Sequence, residues 1–403
     1  VAYIRRRGCI CEDKKKCKCG AKYSFTVDIG TDPETGKRKQ KTESGFKTRK
    51  EAIDAAKVVE YEYSQGIFVH EKNINFKDFS AEWLKLYAAS GKVRESSVDT
   101  RRSCIKRLSK YFDYLPMKDI KRLVYQNMLY DLHAKGFAKE TIISTQATGK
   151  LIFNKAIELE VIKKNPTDYS VVPVKRKTVE ELEVGGGIPP YFEKKELSHF
   201  LKTVKNHGTF QDYAQFYTLA FTGLRIGELC VLKKSDVDFS AKTISVTKTL
   251  YNNSNNTPNY KLHPPKTNGS ERIIEVSDSL LKIIDELRID QNEYKLSVGD
   301  VYHKADFIFV NRKKYPGYPE MQKSIDERMK KFLKLAELNS KFTPHIFRHT
   351  HVSLLAEAKV SLEAIMDRLG HQDDKTTRLI YLHVTKSIKR EAAQKFDDLM
   401  QGL

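Results

Sequence analysis

A single tryptophan, twelve prolines and six methionines occur in 403 residues. No apolar run approaches the roughly 20 residues that a membrane-spanning helix needs. The first residues carry no apolar core of a secretory signal, so the expected compartment is the cytoplasm, with no membrane partner. Acidic residues are in deficit: 52 Asp and Glu stand against 72 Lys and Arg, a formal net charge of +20. That excess points to a polyanionic partner, while saying nothing about fold. Cysteine is also scarce, and four of the six (Cys9, Cys11, Cys17, Cys19) fall within eleven residues. Such a cluster reads as a metal site sooner than as a disulfide framework. Four thiolates in this spacing can hold one structural Zn²⁺ and tie down a segment too polar to fold by burial. A metal-free cluster is the equal alternative at this point. Cys104 and Cys230 sit among periodic apolar residues and read as packing. No repeat period and no heptad array is present.

What is there is apolar material enough for folded cores: 40% hydrophobic residues, with 20 Tyr and 20 Phe. The length fits two to three domains. The first fifty residues hold 15 Lys or Arg and 6 Asp or Glu, a local excess of nine. From Ala21 to Gly45, β-rich runs alternate with turn signals at Gly30, Asp32-Pro33 and Thr35-Gly36, which predicts a two- or three-stranded meander. Thr48 with Glu51 predicts a capping box opening a helix whose apolar positions continue to Tyr63. Residues 1–66 thus form a small basic β-plus-helix domain. Residues 73–170 carry helical periodicity (Phe76, Phe79, Trp83, Leu84, Tyr87) broken near Gly91, Pro116, Gly136 and Asn165-Pro166, which predicts a bundle of four or five helices. The stretch 171–187, with its basic and acidic tracts and Gly185-Gly186-Gly187, reads as a linker. From 188 to 403 the pattern is helical, interrupted by a β-ribbon of Ile244–Thr247 with Arg272–Val276 around a polar insertion. The expected architecture is multidomain and mainly α, with a mixed α/β last domain that is mostly helical.

Four constellations in this last domain carry chemistry. Arg225 and Glu228 lie one helical turn apart, so the acid can orient the guanidinium toward a ligand; alone, the pair reads as a surface salt bridge. In Thr343-Pro344-His345-Ile346-Phe347-Arg348, Thr343 as cap and Pro344 at the first turn put His345 and Arg348 on one face near a helix N-terminus, where the dipole favours an anion. His345 as a satisfied core residue fits about as well. Gly370 ends the amphipathic helix Leu362 to Leu369, leaving His371 at a corner, and Tyr381 follows in Leu379-Ile380-Tyr381-Leu382-His383-Val384. Tyr381 is the only tyrosine after Tyr318, although a tyrosine in an apolar run is ordinarily core. Pro265-Lys266-Thr267-Asn268-Gly269 puts Lys266 at a ribbon tip, where a lysine is ordinarily solvated.

Together, Leu-Arg225-x-x-Glu228-Leu, Pro-Lys266-Thr, His345-x-x-Arg348, Leu-Gly-His371 and Ile-Tyr381-x-His-Val resemble the tyrosine recombinases of the phage-integrase type. The motifs cover 188 to about 395, and the three-part layout extends the likeness over the whole chain. The basic N-terminal segment is most like the arm-site-binding domain of integrases from conjugative transposons and temperate phages. The resemblance implies a site-specific DNA recombinase that integrates and excises a mobile element through a 3′-phosphotyrosyl intermediate. Tyr381 would be the nucleophile and Arg225, Arg348, His345 and His371 the groups on the phosphate. Lys266 would protonate the departing 5′ oxygen, and Glu228 would support Arg225. It implies no ATP and no catalytic metal. As partners it implies double-stranded DNA at core and arm sites, an excisionase and a host DNA-bending protein. It also implies a tetramer on DNA in which the terminal helix, Lys386 to Met400, packs on a neighbouring protomer; packing on its own domain stays open. A type IB topoisomerase-like strand transferase and a non-catalytic DNA-binding protein are the alternatives; the arm-like domain and linker weigh against the first, and the complete basic set against the second.

Overall fold

A computed structural model describes residues 2–11, 19–31, 38–64, 74–174, 188–253, 256–265, 271–370, 375–385 and Met400. The chain divides into two compact units, Val1–Lys175 and Arg176–Leu403.

The first unit contains two separate hydrophobic cores. Near the N-terminus, β1 (Tyr3–Arg6), β2 (Tyr23–Thr31) and β3 (Arg38–Phe46) form an antiparallel sheet in sequence order, covered by α1 (Arg49–Ser64). Strand alternation sends Phe25 and Val27 to the covered face, where they meet Ala56 and Val59. Thr26 and Thr42 pair on the other face through hydroxyls 2.9 Å apart. The predicted capping box opens α1: the Glu51 N–H donates to Thr48 Oγ1 at 3.2 Å, and the Thr48 N–H donates to Glu51 Oε2 at 3.4 Å. The sequence pattern between Ala21 and Gly45 yields β2 and β3. The third strand comes instead from Tyr3–Arg6, whose basic composition concealed it.

The second core is a four-helix arrangement of α2 (Phe76–Ala89), α3 (Glu95–Phe112), α4 (Arg122–Ala134) and α5 (Lys139–Glu158). Phe76, Phe112, Tyr125 and Phe153 meet ring to ring at 5.6 to 6.0 Å. The helices break near the Gly and Pro positions read from the sequence, because Gly is readily left-handed and Pro cannot donate to the ladder.

In the second unit, α6 (Lys194–His207) and α7 (Phe210–Thr222) lead through a tight turn into the short α8 (Ile226–Leu229). Strands β4 (Val237–Asp238), β5 (Thr243–Val246) and β8 (Arg272–Glu275) form a three-stranded antiparallel sheet, with Ile244 opposite Ile274. Flanking the Asn-rich insertion read over 252–259, β6 (Thr249–Tyr251) and β7 (Lys261–His263) pair as a second ribbon. Their three-residue length gave too few alternations to register as strands. Helices α9 (Asp278–Val298), α10 (Gln322–Leu335), α11 (Ile346–Glu357) and α12 (Leu362–Leu369) follow, then a helix over 375–385. The core is built on Phe192, Phe200, Phe216, Phe332 and Phe347, packed around α7 and α11. A smaller cluster joins Val352 and Ala356 of α11, Ile365 and Leu369 of α12, and Ile380 and Val384.

Candidate active site

The site begins where α7 stops. Gly223 caps that helix in the left-handed conformation, φ 64°, with its N–H donating to the Leu219 carbonyl at 3.0 Å. A side chain there would be strained, and its Cβ would stand 2.7 Å from Leu369 Cδ2 and 2.9 Å from the His351 ring. This reversal places Arg225 as the N-cap of α8 in extended backbone. Glu228, one turn on, accepts both the Arg225 backbone N–H at 3.0 Å and its Nη1–H at 2.9 Å. Glu228 is 3% exposed while the Arg225 side chain keeps 35% of its surface. One edge of the guanidinium is therefore fixed and the group still faces solvent.

A second arginine completes this carboxylate's shell. Arg272 Nη2 donates to Glu228 Oε2 at 2.8 Å, and Arg272 Nε donates to the Arg368 carbonyl at 3.0 Å. Burial pushes the Glu228 carboxyl up, but the Arg272 hydrogen bonds and charge and the Arg225 backbone N–H outweigh it, and the group is held below the usual carboxylate range.

Arg348 lies on the first turn of α11 and is 2% exposed. Its Nη1 donates to the Gly223 carbonyl and its Nη2 to the Leu369 carbonyl, both at 2.7 Å. The guanidinium thus ties the turn before Arg225 to the end of α12, two residues before His371. His351, one turn further along α11, donates Nδ1–H to the Ala220 carbonyl at 2.9 Å and accepts from Arg368 Nε at 3.1 Å. Burial, with the Arg368 and Arg348 charges, lowers its pKa to about 4, so the ring is neutral at pH 7 and that tautomer serves both bonds.

His345 is exposed at the N-cap of α11, its ring 4.7 Å from His349 in an edge-on contact. The helix opens through a tight turn in which the Ile346 N–H donates to the Thr343 carbonyl at 2.9 Å, so the regular helix starts two residues beyond Pro344. Tyr381 is half-buried on the helix over 375–385, against the cluster formed with α11 and α12. Gly370 ends α12 in the left-handed conformation, as read from the sequence. Lys266, His371 and Cys17 lie outside the described residues, as do linker residues 175–187 and terminal residues 386–399.

The sequence reading missed Arg272, His351 and Arg368. From the sequence Arg272 reads only as the first residue of the second ribbon strand, with no role in the site. It shares a strand face with Ile274, so burial of Ile274 against Ile244 carries Arg272 inward and leaves Ile273 69% exposed. Hydropathy alone orders those two neighbours the other way.

Among the described residues of the N-terminal sheet, the Sγ atoms of Cys9, Cys11 and Cys19 all lie within 4.8 Å of one another, with Cys9 and Cys19 at 3.7 Å. Tetrahedral zinc at the usual Zn–S bond length separates its sulfurs by about 3.8 Å. The three thiols fit such an ion.

With this geometry in view, the comparisons with known proteins agree on a class. The phage integrase family model matches residues 190–387, an Arm DNA-binding domain model matches 14–63, and a phage integrase N-terminal SAM-like domain model matches 75–133. The chain is 33% identical over 322 residues to the prophage ps2 probable integrase of Lactococcus lactis subsp. lactis strain IL1403, covering 79% of this chain and 81% of that protein. It is 27% identical to the ICEBs1 integrase of Bacillus subtilis strain 168, over 96% of this chain and 99% of the relative. The fold is similar to that of the Tn1549 transposon integrase solved in complex with transposon right end DNA, with a TM-score of 0.61, 22% identity, 79% of this chain covered and 100% of that one. The chain belongs to the phage integrase family. It is a tyrosine recombinase of the integrase type.

Proposed function

We propose that this integrase cuts and rejoins double-stranded DNA at specific sites to move a mobile element, with Tyr381 as nucleophile. The Tyr381 hydroxyl attacks the scissile phosphorus and passes its proton to an imidazole of the site, His371 or His345, as the Tyr–O–P bond forms and the P–O5′ bond breaks. Lys266 supplies the proton to the departing 5′ oxygen. Negative charge grows on the two non-bridging oxygens, where Arg225 and Arg348 give fixed, permanently charged donors and His345 and His371 add hydrogen bonds. The phosphotyrosyl ester retains the bond's energy, so a 5′ hydroxyl from the exchanged strand reverses the step without ATP.

The observation that carries this reading is the Arg348 guanidinium spanning the Gly223 and Leu369 carbonyls. It supports one site made from the Arg225 turn, the His345-x-x-Arg348 helix and the Leu-Gly-His371 turn, which are far apart in sequence.

In this reading residues 1–66 bind arm sites, 73–170 bind the core site, 171–187 link, and 188–403 catalyse. Basic residues of these domains bind phosphates, so affinity falls steeply with salt. The assembly is a tetramer on DNA, with exchange of the segment 386–400 between protomers. An excisionase and a host bending protein set direction, and the protein works in the cytoplasm. Among the described residues no helix is long and apolar enough to cross a membrane. Cys9, Cys11 and Cys19, with Cys17 from the same cluster, hold a structural Zn²⁺.

The test is trapping of a protein–DNA adduct on a nicked duplex carrying the element's crossover site. Wild type gives a band stable to denaturant, and Tyr381→Phe gives none while retaining DNA affinity. A normal adduct yield from Tyr381→Phe removes Tyr381 from the role.

A further inference from the structure

The thiol cluster stands just beyond β1, a strand with two arginines in four residues. We infer that metal held by Cys9, Cys11 and Cys19 sets the DNA affinity of this domain by keeping β1 on the sheet; this rests on the zinc reading above.

Strand β1 is four residues long and lies at the sheet edge, paired only with β2. Of its side chains, Ile4 alone joins the small core, with Ala2 just before it. The other face presents Tyr3 and Arg5, both exposed, followed by exposed Arg7. Their register places Tyr3 opposite Thr26 and Arg5 opposite Ser24, so the cations border the hydroxyl-bearing face of the sheet. Besides its ladder bonds and Ile4, the strand is held by the Arg6 guanidinium 4.6 Å over the Tyr23 ring and by the Ser24 hydroxyl donating to the Arg5 carbonyl at 3.1 Å. These are few contacts to offset the entropy of ordering a four-residue edge strand. The ladder continues one step past β1, where the Arg7 N–H donates to the Lys22 carbonyl at 3.2 Å. The cluster begins two residues later. Cys9 and Cys11 come from the β1 side and Cys19 from the β2 side, so an ion bound by all three staples the ends of the connection directly beside that last ladder bond. The gain falls on β1, because β2 is held independently by β3 and α1 through Phe25 and Val27.

Without the ion, β1 leaves the sheet in most molecules and takes Tyr3, Arg5 and Arg7 with it. If the ordered form falls to about a tenth of the population, the apparent Kd rises roughly tenfold.

The test uses the full-length protein. Duplexes are selected from a random-sequence pool by the zinc-loaded protein, and those whose affinity drops in Arg5→Ala serve as the probe. Zinc content, probe affinity at fixed salt and hydrogen exchange of the β1 amides are then measured before and after chelation, and in Cys9→Ser and Cys19→Ser. The expected result is near-stoichiometric zinc whose loss weakens the probe roughly tenfold and speeds exchange in Ile4–Arg6, with exchange in α2–α5 unchanged. Zinc that binds, but whose removal alters neither affinity nor β1 exchange, overturns the inference and leaves the metal site standing. Absence of zinc from protein prepared with it overturns both. No selected duplex sensitive to Arg5→Ala also overturns the inference.

Discussion

Arg272 and Glu228 form a buried two-point ion pair, Nη2 to Oε2 at 2.8 Å and Nη1 to Oε1 at 3.3 Å, with side chains 5% and 3% exposed. Glu228 thus serves two arginines, one buried and structural, one facing solvent. Loss of Arg272 leaves a buried carboxylate with only the Arg225 turn to satisfy it, and breaking such a pair costs about 3–5 kcal/mol. Arg272→Met is expected to lower urea-unfolding stability by that amount. Arg272→Lys, which keeps the charge but not the fork, recovers only part of it.

Arg225 is the exposed member, and its expected loss is kinetic. Removing one preorganised donor from a developing oxyanion typically costs about 10²- to 10³-fold in rate. Arg225→Gln should slow single-turnover cleavage of the nicked crossover-site duplex by at least that range while changing equilibrium DNA affinity by a few-fold. Equal losses in both would assign Arg225 to binding alone.

The turn that delivers Arg225 has no room for a side chain. Gly223→Ala imposes the left-handed strain of about 1–2 kcal/mol and drives Cβ toward Leu369 and His351. Reduced thermal stability is expected together with slower cleavage, because the same residue's carbonyl receives Arg348. A variant that melts earlier yet cleaves at the wild-type rate would separate the turn from the chemistry.

Acid should loosen the back of the site before it loosens the front. His351 stays neutral in the fold down to about pH 4, whereas its ordinary value is 6.5. The unfolded chain therefore takes up the proton first, and stability falls as pH drops from about 6.5 toward 4, by up to about 3 kcal/mol. Glu228 has the opposite character: held below its ordinary 4.5, its contribution is present above that value and is lost only on further acidification. Unfolding measured between pH 7 and about 5.5, above the carboxylate range, should show stability falling with pH, and His351→Gln should reduce that slope.

The amino-acid order determined a good deal by itself. Local signals mark the α1 capping box, the glycine that ends α12 and the breaks between α2 and α5, because caps, turns and period act within a few residues. The motifs around Arg225, Lys266, His345, Arg348, His371 and Tyr381 resemble those of the tyrosine recombinases, and that resemblance pointed to the class of chemistry. The tertiary structure decided which segments meet around Arg348 and Glu228. Arg348 reaching two carbonyls from separate segments, Arg272 turned inward beside an exposed isoleucine, and His351 kept neutral by burial beside Arg368 depend on residues up to 125 apart in sequence. No short-range propensity encodes them. They follow from which strand face is buried and from where the helix ends meet, and packing of the whole unit sets both.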